Sequence, residues 1–376
     1  MDTTLADITL PADLRPADGR FGCGPSKVRP EGVAALAAAA PAYLGTSHRQ
    51  SPVQSVVARL RAGMAELFAL PDGYEVVLGN GGAACFWDIA TLSLIERRSQ
   101  HLSFGNFSES FAAAVGVAPH LDRPDVIESP AGTRPRATPN LDVDAYALTH
   151  NETSTGVAME VVRTAPAGEG LVLVDATSAA GGMRVDPTQF DAYYFSPQKG
   201  FGADGGLWIA LLSPDALDRV DKIKAAGRWI PESLSLATAV GNARLDQTYN
   251  TPGLATLFLM VDQLEWILGN GGLEWAASRC ETSAATLYAW AEASSYATPF
   301  VGDPADRSPV VGTIDLDPSV DAKAVSKVLR ANGIVDTEPY RRLGRNQLRI
   351  AMFPAVDPDD VAILTRAVDY VVSALS

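Results

Sequence analysis

Three features of the sequence predict an α/β fold in which a large sheet-based part is followed by a smaller α+β part. Short apolar runs ending in polar residues recur between helical stretches. Residues 171–174 stop at Asp175, and 193–195 lead through Ser196, Pro197 and Gln198 to Lys199. Runs of this length, bounded by Gly, Pro, Asp and Ser, read as buried strands. A strand, a glycine-rich turn and a helix start follow one another over residues 75–90, the unit from which such sheets are wound. After residue 310 the pattern becomes strand, helix, strand, helix, which marks a second, α+β unit.

Composition narrows the function classes. The chain of 376 residues is 47% hydrophobic and 20% charged, enough apolar material for a substantial core and too much for a disordered chain. Its net charge of −14 repels phosphate backbones and anionic lipid, which argues against nucleic-acid and membrane binding. An anionic substrate must therefore be drawn in by a local group of Arg, Lys or His. Cys23, Cys85 and Cys280 are odd in number and widely spaced, so neither a disulfide framework nor a metal site is expected, and a reducing cytoplasm is the simple reading. The first 16 residues carry acids and prolines without a basic-then-apolar pattern, and no run of 18 apolar residues occurs. Neither a secretory signal nor a membrane span is expected.

Taken in order, residues 1–30 are loop-rich, and Gly22-Cys23-Gly24-Pro25-Ser26 punctuates an extended segment of the kind that crosses the mouth of a site. Helices are expected over 31–42, which is Ala-rich, and over 53–68, where Val53, Val56, Val57, Leu60, Met64 and Leu67 keep helical spacing. Between them His48 and Arg49 lie in a polar loop closed by Pro52. Arg offers carboxylate or phosphate a planar fork, so the pair is a candidate anion clamp, although solvated loop residues would look the same. A strand over 75–78 runs through Gly79-Asn80-Gly81-Gly82-Ala83-Ala84 into a helix at 85. Small residues there let backbone N–H groups and the helix dipole reach an anion, or simply turn the chain. The stretch is neither a dinucleotide fingerprint nor a Walker sequence.

A strand should end near Gly105, with Phe107 just beyond it, where a flat ring can stack on a ligand or fill core. Residues 119–140 read as loops with one short strand, and a strand over 145–149 leads into the hydroxyl-rich stretch 150–156. A strand over 207–212 and a helix over 214–224 follow. Asn250 and Thr251 precede Pro252, which suits a helix start. Helices over 253–266 and 273–293 lead to strands at 310–316 and 347–352 and helices at 322–332 and 358–374. Arg341, Arg342, Arg345 and Arg349 place four arginines in nine residues of an acidic chain, either a solvated basic loop or an anion receptor.

Asp175 and Lys199 carry the sharpest chemical signal. In α/β sheets ligands bind beyond the carboxyl ends of the strands, where these two, 24 residues apart, both fall. Pyridoxal phosphate needs a Lys for its Schiff base and an acid for its ring nitrogen. A plain buried Asp–Lys ion pair would explain the spacing equally well.

The stretches DATSAAGG and YYFSPQKGFGADGGLW, with NETSTG at 151–156 and YNTP at 249–252, resemble the class V group of fold-type I aminotransferases. Within that group the chain is similar to the phosphoserine aminotransferase family in its actinobacterial form. The likeness runs from FGCGPSKVRP at 21–30 to GRNQLRIAMFP at 344–354. It implies the fold type I of PLP-dependent transferases, with a mostly parallel seven-stranded sheet in the large domain. It also implies a division into an N-terminal segment (1–20), a large cofactor-binding domain (21–255) and a small α+β domain (256–376). By this resemblance the cofactor is pyridoxal 5'-phosphate. Lys199 holds it and Asp175 pairs its ring nitrogen. Ala83 and Ala84 cradle its phosphate, Phe107 stacks on the ring where better-known members have Trp, Thr153 contacts the ring hydroxyl, and Gln198 adds a further cofactor contact. Asn250 and Thr251 complete the phosphate site of a partner subunit, which implies a homodimer with shared sites. His48 and Arg49 take the distal acidic group and Arg349 the α-carboxylate. The family's usual His-Arg pair before that arginine is missing here, and Arg342 or Arg345 takes its place.

The implied activity moves an amino group between L-glutamate and 3-phosphohydroxypyruvate, giving 2-oxoglutarate and O-phospho-L-serine in serine biosynthesis. The phosphohydroxythreonine pair of pyridoxal phosphate biosynthesis is a possible second substrate. Competing readings are a glyoxylate-using class V aminotransferase, a cysteine desulfurase, a dinucleotide-dependent oxidoreductase built on residues 79–84, and a non-catalytic phosphometabolite binder. The desulfurase needs a mobile Cys in the C-terminal arginine loop, which has none. The oxidoreductase leaves Lys199 without a role.

Overall fold

The computed structural model describes residues 8–164 and 169–375. The chain begins with helices α1 (Pro30–Tyr43) and α2 (Ser51–Leu67). Strand β1 (Glu75–Asn80), helix α3 (Ala83–Ser93), strand β2 (Ser99–Ser103), helix α4 (Asn106–Gly116), and strands β3 (Asp125–Glu128) and β4 (Ala145–Thr149) follow. A two-residue hairpin, β5 (Asn151–Glu152) and β6 (Val157–Ala158), leads to β7 (Leu171–Asp175), β8 (Ala192–Phe195) and β9 (Leu207–Leu212). Helices α5 (Pro214–Ala225), α6 (Leu236–Ala243), α7 (Leu254–Gly269) and α8 (Gly272–Ala293) come next. The chain closes with β10 (Ala297–Pro299), β11 (Val311–Leu316), α9 (Ala322–Ala331), β12 (Gln347–Ala351) and α10 (Pro358–Leu375).

The large sheet has seven strands in the order β1-β9-β8-β7-β4-β2-β3. Only β9 runs against the others, so the sheet is mostly parallel, as the sequence predicted. Its central strands are buried throughout because helices cover both faces. The period of two divides their side chains. Val172, Val174, Tyr193, Phe195, Ile209 and Leu211 join the core shared with α2 and α7. Leu171, Leu173, Tyr194, Ala210 and Leu212 join the core shared with α3, α4, α5 and α6. In α2 the expected apolar stripe is the buried face, and each such side chain stabilises the fold by roughly 1.5–3 kcal/mol. A second, three-stranded antiparallel sheet, β10-β11-β12, packs with α8, α9 and α10 around its own core.

Local signals set several helix ends. Pro214 opens α5 behind the Ser213 cap, whose hydroxyl accepts from Ala216 N, and Asp321 caps α9 in the same way. Helix α6 was not expected, although Ser235 caps it visibly. The strand expected to reach Gly105 stops at Ser103, and Phe107 stands in the first turn of α4 instead of beyond a strand.

The N-terminal segment belongs by contact with the C-terminal part. Phe21 N donates to Val335 O, Ala351 N to Phe21 O, and Leu10 N to Asn332 Oδ1. Helix α7 packs in the core under the large sheet. We propose a division on those lines, with residues 8–20 joining the small unit and α7 the large one. It differs at both ends from the boundaries expected at 20 and 255. No described helix is long and apolar enough to cross a membrane.

Candidate active site

The parallel strands of the large sheet end along one edge, and the residues that follow them converge there. A cavity of about 430 Å³ opens at this edge, lined by Ala83, Ala84, Phe107, Thr153, Asp175, Gln198 and Lys199 together with Trp87, Asn151 and Thr177. Gly24 and Pro25 close it from the N-terminal segment.

Lys199 is buried and held by that segment. Its Nζ donates to Cys23 O at 2.5 Å. Ser26 grips the lysine backbone, donating from N to Gln198 O at 2.8 Å and from Oγ to Lys199 O at 2.6 Å. Gly24 is required here: at φ +143° a Cβ would stand 2.3 Å from Nζ. Burial lowers the Lys199 amine to about 8, because the charged form loses its water.

Asp175 ends β7 and is likewise buried. Its Oδ1 accepts from Thr177 N at 2.9 Å and Thr177 Oγ1 at 2.6 Å, and its Oδ2 accepts from Trp87 Nε1 at 2.9 Å. Burial raises its carboxyl, and these donors pull the other way. The acid and the lysine do not pair directly: each has other partners, so a simple ion pair does not account for them.

Helix α3 starts at Ala83 with Gly82 at its cap and no side chain capping it. Its first N–H groups and dipole form an anion receptor. Two buried oxygens near this turn, Ser196 Oγ and Gln198 Oε1, lack hydrogen-bond partners among the described residues. A Cβ on Gly82 would meet Ser196 Oγ at 3.7 Å, and one on Gly205 would meet Gln198 Oε1 at the same distance. Phe107 presents its ring 6.0 Å from Lys199 Nζ, and Thr153 Oγ1 donates to Ser178 Oγ at 2.8 Å.

The arginines divide. Arg349 Nη1 donates to Thr153 O at 3.4 Å, its Nε is buried without a partner among the described residues, and its guanidinium lies 5.1 Å from the Tyr340 ring. Tyr340 in turn meets Phe107 at 5.9 Å. Arg342 donates to Asn106 Oδ1 at 2.8 Å, beside Phe107. Arg345 points elsewhere, forked onto Asp315 and lying over Phe300. His48, Arg49, Asn250 and Thr251 do not line the cavity. Their two loops are joined instead, by Thr251 Oγ1 to His48 Nδ1 at 3.0 Å and Arg49 Nη1 to Gln247 Oε1 at 2.9 Å.

Sequence reasoning passed over Trp87, Thr177, Asn151 and Ser196. Trp87 lies four residues after Ala83 and so on the same helix face. Asp-x-Thr is a readable side-chain turn at a strand end. Ser196 carries no comparable signal.

Comparison with known proteins identifies the family. The family described as Aminotransferase class-V matches residues 137–337, more than half of the chain. A phosphoserine aminotransferase of Rhodococcus jostii is 58% identical over 97% of this chain and 98% of its own. A provisionally named phosphoserine aminotransferase of Mycobacterium avium is 61% identical over 99% of this chain and 100% of its own. The fold matches the phosphoserine aminotransferase structure from Cytophaga hutchinsonii with a TM-score of 0.87, at 24% identity, over 94% of this chain and 99% of that one. The chain is a class V aminotransferase. Within that class it belongs to the phosphoserine aminotransferase family.

Proposed function

We propose that this aminotransferase binds pyridoxal 5'-phosphate at Lys199 and exchanges the amino group between L-glutamate and 3-phosphohydroxypyruvate, the serine-forming direction of its family. The observation that carries the reading is a buried amine and a buried carboxylate, unpaired with each other, facing one cavity beside an uncapped helix start. The residues fit the cofactor: the α3 N–H groups with the Ser196 hydroxyl suit its phosphate, Asp175 its ring nitrogen, Thr153 its ring hydroxyl and Phe107 its face, and Gln198 lines the same cavity. When bound, the cofactor supplies an electron sink for the substrate Cα.

The chain supplies the rest. With its amine lowered to about 8, Lys199 is partly neutral at physiological pH and can take a proton from the substrate Cα and return it elsewhere. Asp175 keeps a proton on the ring nitrogen opposite it. Phe107 and Gly24-Pro25 shield the reacting carbon from water. Arg349 receives the α-carboxylate and Arg342 the distal acidic group. We place Arg345 outside the site because Asp315 already neutralises it. Arg342→Ala is expected to raise KM for 3-phosphohydroxypyruvate by about 10- to 100-fold, the worth of a charge-assisted contact. Arg345→Ala, which removes a surface pair, should change it less than about fivefold. Steady-state kinetics on both variants checks the contrast.

The proposal includes a homodimer. His48, Arg49, Asn250 and Thr251 sit together outside their own cavity, near the exposed apolar side chains Leu44, Leu245 and Tyr249. A second copy covering those side chains would receive the four residues at its own site. The phosphohydroxythreonine pair fits the same charge pattern as a second substrate. The substrate assignment is tested by comparing amino acceptors with glutamate as donor. Loss of the distal anion leaves a buried or positioned cation unpaired, so kcat/KM for 3-phosphohydroxypyruvate should exceed that for glyoxylate by about 10³-fold or more. Equal values would assign the protein to another branch of the class.

A further inference from the structure

Glu152 is fully buried, and no cation among the described residues pairs with it. Its hydrogen bonds come from backbone N–H groups and serine hydroxyls. Oε2 accepts from Phe107 N at 3.1 Å, Ser108 N at 2.9 Å and Ser108 Oγ at 3.0 Å. Oε1 accepts from Ser154 N at 3.1 Å and Ser154 Oγ at 2.7 Å. Burial raises this carboxyl, and the N–H and hydroxyl groups of Ser108 and Ser154 oppose the rise. The carboxylate caps α4 from a distant strand end. A local cap would be Ser, Thr, Asp or Asn at the position before the helix, and here that position is Gly105. A Cβ on Gly105 would stand 2.4 Å from Glu152 Cγ, so the glutamate in this position requires a glycine at 105.

Both arginines assigned above rest on this node. Arg349 leans on Thr153 O, the residue after Glu152. Arg342 leans on Asn106, whose N donates to Ser154 Oγ at 3.0 Å, and that same hydroxyl donates to Glu152. One buried carboxylate therefore ties together the two turns on which the two cations are seated. Glu152 also accepts from Phe107 N, so the same node seats the ring beside Lys199.

We infer that Glu152 is a positioning residue that fixes the spacing between Arg342 and Arg349, and thereby sets the length of acidic substrate the site prefers. The inference rests on the arginine roles proposed above. It differs from a merely structural cap in a measurable way. A cap that only stabilises α4 affects every ligand alike, whereas a spacer affects the ratio between ligands of different length.

The test is calorimetric binding of succinate, glutarate and adipate to the purified cofactor-loaded protein, wild type against Glu152→Gln, Gly105→Ala and the milder Ser154→Ala. A one-methylene mismatch in a fitted site changes binding by about tenfold or more. The wild type is expected to prefer one length to that degree. Glu152→Gln and Gly105→Ala should compress the preference to within about threefold, as expected when a fixed spacing is lost. Ser154→Ala, which stays closest to the native packing, should compress it partway. The visible spectrum of the bound cofactor should persist in each. If no diacid binds the wild type, the arginine assignment itself fails and takes this proposal with it. If the wild type binds them and the variants lose affinity equally for all three, the arginines stand and the spacer is overturned.

Discussion

Lys199→Ala should fall in kcat by about 10³-fold or more, the upper part of the range for a lost proton-transfer group, while the protein folds and keeps a pocket for the cofactor. Steady-state kinetics with glutamate, together with a near-ultraviolet circular dichroism spectrum, checks both halves. The expectation rests on position. Among the described residues that line the cavity, Lys199 alone brings an amine, and the clamp made by Cys23 O and Ser26 aims it there. A pH dependence follows from the same burial. The amine is lowered from 10.5 to about 8, so it is mainly protonated below that pH and mainly neutral above it. Recapture of pyridoxal phosphate by cofactor-stripped protein needs the neutral form. Its rate should rise with pH and level off above about 8, whereas an ordinary lysine would keep gaining to about 10.4. A stopped-flow absorbance series from pH 6 to 10 distinguishes the two curves.

Asp175→Asn should lower kcat by about 10²- to 10³-fold, the usual loss when one preorganised electrostatic group is removed from a dry site, with much smaller change in KM. The amide is the same shape, so Thr177 and Trp87 stay close to it. What disappears is the negative charge that, in the proposed site, would hold a proton on the ring nitrogen. The substrate contacts proposed for Arg349 and Arg342 are untouched, which is why binding should survive. A rise in KM alongside the fall in kcat would show that Asp175 supports the architecture instead of the electron sink.

The sequence was most legible where burial is complete. Strands β4 and β9 have the limits read from their apolar runs, because every residue in them is buried and the first polar residue marks the end. The seven residues expected at one site from Ala83 to Lys199 meet in one cavity because the segments that follow the parallel strands, the starts of α3 and α4 among them, all leave the sheet at the same edge. The short elements were harder: β10 has three residues and α6 eight, too few for a period to declare itself. The arginine loop was ambiguous for a different reason. Arg342 and Arg345 look alike in sequence, and only the position of Asp315 on β11 separates them. Glu152 was invisible as a node because its partners on α4 lie more than 40 residues away in the chain. Whether His48, Arg49, Asn250 and Thr251 serve a neighbouring subunit is a property of an assembly, which a single chain's pattern does not encode.

The central claim is that Lys199 and Asp175 flank pyridoxal phosphate and pass an amino group between acidic substrates. It is tested most directly by the absorption spectrum of the purified protein, taken before and after adding glutamate and again after 3-phosphohydroxypyruvate. The account predicts a visible band that glutamate shifts into the near ultraviolet and 3-phosphohydroxypyruvate restores, with no band shift in Lys199→Ala. A protein that stays colourless after added pyridoxal phosphate would contradict it.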